Sequence, residues 1–166
     1  MKNELLMDFS VNKETATINV TREFAADQPT VWAAWTQAKI LDQWWAPKPW
    51  KSVTKSMEFK EGGRRLYAMV GPEGEEHWSL AYFTSISPKD NFKHLSAFCD
   101  SEGNISPEIK GSHWNVDFSE KDGITTVTVT IKHDTLETLE QYIKMGFKEG
   151  FTMCLGNLDE VLRTLK

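Results

Sequence analysis

The sequence predicts an α+β domain in which an antiparallel sheet curves around a long C-terminal helix. Short alternating, β-branched segments broken by turn residues follow one another from Lys51 to Lys132. Two short helical periods precede them, between Asp27 and Pro47. One apolar stripe at helical spacing, Leu139, Ile143, Phe147, Phe151, Cys154, Leu155, Leu158, Val161, Leu162 and Leu165, closes the chain. Strand, two short helices, a meander and one long helix make a sheet covered on one face by its last element.

Each element has its own signal. Leu5, Met7, Phe9 and Val11 alternate with polar residues, Asn12-Lys13-Glu14 forms a turn, and Thr15 to Phe24 is β-branched, so residues 4–24 read as a hairpin. Asp27 caps a helix with Pro29 in its first turn and Val31, Trp32 and Trp35 on one face. A second short helix carries Ile40 and Leu41, with Thr36 as its candidate cap. Pro47 and Pro49 end the helical stretch, because each disfavours helix at the residue before it.

Six strands follow: Ser52 to Phe59, Arg64 to Val70, Glu76 to Ile86, Phe92 to Cys99, Ser112 to Phe118 and Thr125 to Lys132. Gly62-Gly63, Gly71-Pro72-Glu73-Gly74, Pro88-Lys89-Asp90 and Lys121-Asp122-Gly123 are turns between them. The strand Glu76 to Ile86 carries two competing phases, Trp78, Leu80 and Tyr82 against His77, Ala81 and Phe83, and a bulge would reconcile them. Gly146 and Gly150 divide the C-terminal stripe into a lead-in helix and a final one. A helix of about 20 residues spans about 30 Å, enough to cross a sheet.

Composition narrows the function. The 166 residues hold 24 acidic and 19 basic side chains, a net charge of −5, with the bases scattered among acids. Nucleic-acid binding needs clustered Lys and Arg, and is excluded as an expectation. No apolar run approaches the roughly 20 residues of a membrane helix, and the acidic N-terminus is unlike a signal peptide. Cys99 and Cys154 stand far apart in apolar runs, as reduced thiols do, and the expected location is cytoplasmic. His77, His94, His113 and His133 lack metal-ligand spacing, so neither metal nor cofactor is expected. There is no nucleophile elbow and no phosphate-binding loop.

Several motifs in order carry a resemblance. They are Arg22-Glu23-Phe24, Val31-Trp32-Ala33-Ala34-Trp35-Thr36, Trp44-Trp45-Ala46-Pro47, Gly62-Gly63, Gly71-Pro72-Glu73-Gly74-Glu75, and Gly150-Phe151 with Leu155, Leu158 and Leu162. Together they resemble the family of the C-terminal domain of the activator of heat-shock-protein-90 ATPase, within the START-like (SRPBCC) superfamily. The resemblance implies a helix-grip fold over 1–166 as a single domain, with the hairpin of about 4–24 as an N-terminal extension. Ala46 stands where the family usually has Gly, and Phe151 where it usually has Trp. In the phase Phe92, His94, Ser96, Phe98, a ring nitrogen and a hydroxyl replace apolar side chains.

In a helix-grip fold the long helix lies across the concave face, and a cavity can remain between them. The candidate lining is Trp44, Trp45, Tyr67, Trp78, His94, Ser96, Phe98, Trp114, Ile143, Phe147, Phe151 and Cys154, with His94 and Ser96 as polar anchors. Seven tryptophans, five of them between Trp32 and Trp50, leave two outcomes open: rings that fill the core, or rings that edge a cavity mouth. His94 likewise reads either as a satisfied core histidine or as a ligand anchor. The expected function is binding of an apolar or aromatic small molecule by a monomer or homodimer. A chaperone-interaction module is the alternative implied by the family, and a cyclase- or dehydratase-type enzyme is third. No catalytic residue is assigned.

Overall fold

The computed structural model describes residues 5–165 and shows eight strands and four helices among them. The part of the hairpin reading that falls on Glu4 lies outside the described residues. In chain order the elements are β1 (Met7–Asn12), β2 (Thr17–Phe24), α1 (Gln28–Thr36), α2 (Ala38–Leu41), β3 (Lys51–Met57) and β4 (Arg64–Val70). Then come β5 (Glu76–Ser87), β6 (Asn91–Cys99), β7 (Ser112–Lys121), β8 (Ile124–His133), α3 (Leu136–Lys144) and α4 (Phe147–Thr164). All the strands join one antiparallel sheet in the order β1-β2-β8-β7-β6-β5-β4-β3. The architecture is the α+β helix-grip fold.

The sheet's register follows from its apolar alternation. Ile18 and Val20 of β2 face Ile131 and Val129 of β8, and Val129 faces Val116 of β7. All five are buried on the concave side, while the intervening threonines of β8 are only partly covered. A one-residue slip would turn this whole set outward, so the pairing is firmly specified. In β5 the register shifts between Phe83 and Ser85. That bulge puts His77, Ser79, Ala81 and Phe83 in the concave phase and lets Ile86 opposite Phe92 rejoin it. Trp78, Leu80 and Tyr82 therefore face the convex side, where Leu80 is buried between Leu66 and Ala97.

The helices close the concave face. The Asp27 carboxylate accepts the Thr30 backbone N–H at 2.9 Å and caps α1, with Pro29 in the first turn. Thr36 does not cap α2. It ends α1 and donates its hydroxyl to the Trp32 carbonyl at 2.8 Å, while Gln37 occupies the cap position without a side-chain bond. The C-terminal stripe is split only once, at Gly146, whose φ of +91° is a left-handed conformation that favours glycine. Gly150 lies inside α4. That helix buries Phe151, Cys154, Leu155, Leu158, Val161 and Leu162, and its Asp159 pairs with Arg22 of β2.

Gly156 of α4 has open space beside it. A Cβ added there meets nothing within 4 Å, and its φ is not left-handed. Gly156→Ala is expected to stabilise the fold by about 0.5–1 kcal/mol through helix propensity. Urea unfolding should show a higher midpoint at unchanged slope; a lower midpoint would contradict the geometry.

Candidate functional site

Large aromatic side chains fill one end of the concave space, and aromatic and small side chains together line a cavity at the other. Under α1, Trp32 packs edge-on against Phe59, Phe92 and Phe118 at 5.1–5.7 Å between centroids. Phe83 and Phe59 continue that cluster. Beyond Trp114 the small residues Ser79, Ser96, Ser112, Gly146 and Gly150 stand among the rings, and a cavity of about 250 Å³ opens beneath the α3–α4 junction. Exposed His77 and Met145 stand at its rim.

The structure brings eight of the twelve sequence candidates to this cavity. Tyr67, Ser96, Phe98 and Trp114 come from the sheet, and Trp45, Phe147, Phe151 and Cys154 from the helical side. Phe147 and Phe151 stack at 5.3 Å, and the Trp114 ring stands edge-on to both. Four candidates lie elsewhere. Trp44 is 1% exposed and donates its Nε1–H to the Ala34 carbonyl at 3.0 Å, which makes it a core residue. Trp78 points to the convex face because the β5 bulge comes after Phe83, not before it. Ile143 is half-buried against the core without reaching the cavity.

His94 is the fourth. Its ring lies stacked between Phe92 and Trp114, 5.8 and 5.3 Å from their centroids. It borders a separate void of about 30 Å³, room for one water, together with Trp35, Arg65, Tyr67 and Ser96. Burial lowers its pKa to about 4, and the nearby charge of Arg65 acts in the same direction. His94 is thus a neutral core imidazole, and its Nδ1 finds no hydrogen-bond partner among the described residues.

Arg65 holds the floor between the two spaces. Its guanidinium, 3% exposed, donates to Ser52 Oγ at 2.8 Å and Thr54 Oγ1 at 3.1 Å, and meets Asp42 Oδ1 at 3.3 Å. Asp42 in turn accepts both hydroxyls and the Thr54 N–H at 2.7–3.0 Å. Burial lowers the pKa of the guanidinium, and Tyr67 and Asp42 oppose that shift. The guanidinium also lies 3.9 Å over the Tyr67 ring and 5.8 Å from that of Trp45. Tyr67 accepts the Trp45 Nε1–H at 3.0 Å. Trp45 is therefore fixed at the cavity wall by a chain of contacts that begins at a buried ion pair.

Charge is sparse in the cavity. Among the described residues no Asp, Glu, Lys or Arg lines it. Burial pushes the Cys154 thiol and the Tyr142 phenol up to about 12 and lowers the pKa of His133. Among the described residues no three His, Cys, Asp or Glu side chains gather into a metal site, and no helix is long and apolar enough to cross a membrane.

The family model described as "Activator of Hsp90 ATPase homolog 1-like protein" matches residues 25–163. The chain belongs to that family. Within the START-like superfamily this is a ligand-binding or co-chaperone-like fold. A crystal structure of a Mycobacterium smegmatis protein is similar at 27% identity and a TM-score of 0.87, covering 96% of this chain and 97% of that one. A solution structure from Arthrobacter aurescens is similar at 27% identity and 0.89, covering 95% and 91%. A Silicibacter pomeroyi protein titled AHSA1, at 19% identity and 0.72 over 91% and 100%, shares the fold. No curated protein sequence matches.

Ala46 and Phe151 both take part in the site. The Ala46 carbonyl accepts the Asn157 side-chain amide at 3.1 Å and ties the tryptophan loop to α4. Phe151 presents a ring smaller than Trp to the cavity. Sequence reasoning missed Ser112, His133 and Tyr142. The Ser112 position, two residues before the inward Trp114, was readable from the alternation. His133 extends the same alternation from Ile131, one strand position beyond the expected end at Lys132.

Two outcomes follow from the buried charges. Removing Asp42 leaves the Arg65 cation unpaired, so Asp42→Ala should cost roughly 3–5 kcal/mol, and adding Arg65→Met should recover much of it. Equal instability of the single and double variants in urea unfolding would refute the pairing. The folded-state pKa of His94 lies below its ordinary 6.5, so the stability it contributes is complete above about pH 6.5 and is withdrawn as pH falls towards about 4. Between pH 7 and pH 4 the wild type should lose about 3 kcal/mol more than His94→Phe. Parallel losses would place the titration elsewhere.

Proposed function

We propose that the protein is a small-molecule binding domain, read as one unit over 1–166 and as cytoplasmic, whose ligand is apolar or aromatic. One observation carries the reading: the cavity of about 250 Å³ is lined by aromatic rings and small side chains, with no Asp, Glu, Lys or Arg among the described lining residues. An engineered cavity of about 150 Å³ takes benzene, so this one suits a body of one or two rings. Trp45, Trp114, Phe147 and Phe151 supply its apolar walls, and Ser96 and Ser112 its polar points. A two-ring aromatic buries roughly 150–250 Å². At about 25 cal/mol per Å² that gives about 4–6 kcal/mol, or dissociation constants of roughly 1 mM to tens of micromolar.

The family description favours a second reading, a co-chaperone-like interaction module. The resemblance reaches only the C-terminal domain of the eukaryotic activator, so the isolated chain is expected to leave Hsp90 ATP turnover unchanged. A dose-dependent rise would promote that reading.

The direct test is thermal unfolding with toluene or naphthalene near saturation. The wild-type midpoint should rise and its tryptophan emission should be quenched. Ser96→Phe, which puts a ring into the cavity from a strand position that accepts aromatics, should remove both responses. A wild-type protein indifferent to both compounds would sink the proposal.

A further inference from the structure

Three polar side chains cross the cavity floor in one row. Ser96 of β6 lies directly opposite Ser112 of β7, and Ser112 directly opposite His133 of β8. Residues opposed in an antiparallel pair share a face, with Cβ atoms about 4.5–5.5 Å apart. All three border the cavity, and Ser112 and His133 are 3% and 2% exposed. The row is incompletely bonded. The Trp114 Nε1–H donates to Ser112 Oγ at 3.0 Å, which occupies that oxygen as an acceptor and leaves its own proton to donate. His133 Nδ1 is closed to solvent, with the Ala16 carbonyl as the backbone group acting on the ring, and Nε2 forms no hydrogen bond among the described residues, which leaves it as the nitrogen open to a ligand. The Tyr142 ring, 5.0 Å from that of His133, has its hydroxyl committed to the Lys110 carbonyl.

Leaving buried polar groups unpaired costs roughly 1–3 kcal/mol each, so a ligand that pairs them is favoured over one that does not. A neutral imidazole offers one N–H and one acceptor nitrogen, and a serine whose oxygen is already used offers a proton. A single hydroxyl between them accepts from Ser112 and donates to the imidazole. A carboxylate in the same place would have no cation to meet. Arg65 is already held by Asp42, Ser52 and Thr54 and lies behind Tyr67 and Trp45. We infer that the cavity selects an uncharged aromatic alcohol of one or two rings, its hydroxyl seated between Ser112 and His133 and its rings against Trp45, Trp114 and Phe151. This rests on the ligand-binding reading above and names the ligand class for the same cavity.

The lowered pKa of His133, caused chiefly by burial, keeps the imidazole in the neutral form that can accept this proton. One hydrogen bond in such a setting changes affinity roughly three- to tenfold.

Three probes of one ring system separate the possibilities at pH 7.5: naphthalene, 2-naphthol and 2-naphthoate, titrated against tryptophan emission. The expected order is 2-naphthol tightest by roughly three- to tenfold over naphthalene, with 2-naphthoate weakest. His133→Phe keeps a ring against Tyr142 and should bind naphthalene and 2-naphthol alike. In wild-type protein labelled with ¹⁵N-histidine, 2-naphthol should move the His133 ring nitrogens and naphthalene should leave them. That readout stands even if the variant folds poorly. If naphthalene binds but 2-naphthol gains nothing, if 2-naphthoate matches it, or if the His133 nitrogens respond alike to both, the hydroxyl seat is wrong and the cavity reading survives. If none of the three binds, both fall together.

Discussion

The structure turns on a buried cation. Arg65 sits in the concave floor of the sheet at 3% exposure, where an unpaired charge would be costly. Its pairing fixes three things at once. Asp42 closes the end of α2 against β3 through Ser52 and Thr54. Tyr67 stacks beneath the guanidinium, and Trp45 hangs from the Tyr67 hydroxyl. A hydrophobic substitute for the ion pair could hold the helix to the sheet as firmly. It could not orient the Tyr67 hydroxyl and the Trp45 ring towards the opening, which makes the ion pair a device for position more than for stability.

That position divides the concave space. On one side of Trp45 the rings of Trp35, Phe92, Phe83 and His94 pack densely and leave room for a single water. On the other side small residues leave about 250 Å³. Interiors normally close such a gap because every missing contact forfeits dispersion energy. Here the gap is held open by elements that cannot collapse. The edge-on rings of Trp114, Phe147 and Phe151 brace one another, and the left-handed Gly146 sets the angle at which α4 leaves α3.

The frame was legible because its signals are local. The period of two from Thr125 to Lys132, the Asp27 cap and the apolar stripe of α4 each fix an element without reference to the rest. The site was legible only in part, because membership depends on register. Trp78 and Ser79 differ by one position, and a bulge after Phe83 decides between them. Trp44 and Trp45 are neighbours in the chain, yet one ring ends in the core and the other at the wall. The difference is set by which indole nitrogen finds the Ala34 carbonyl and which finds Tyr67. His94 and His133 share a face, and the stacked rings of Phe92 and Trp114 close over the first alone.

Electrostatics carries the last step from shape to specificity. No Asp, Glu, Lys or Arg among the described residues lines the cavity, and burial drives three titratable groups of the lining, Cys154, Tyr142 and His133, towards their uncharged forms. Such a wall offers an ion nothing to offset its lost hydration, which is larger than any gain from apolar contact in a space of this size. Shape alone would admit an aromatic acid as readily as an aromatic alcohol. Under the proposed ligand-binding reading, the lack of Asp, Glu, Lys and Arg among the described lining residues would make this apolar space discriminate by charge, and the polar row on its floor would let it discriminate further by hydrogen-bonding pattern.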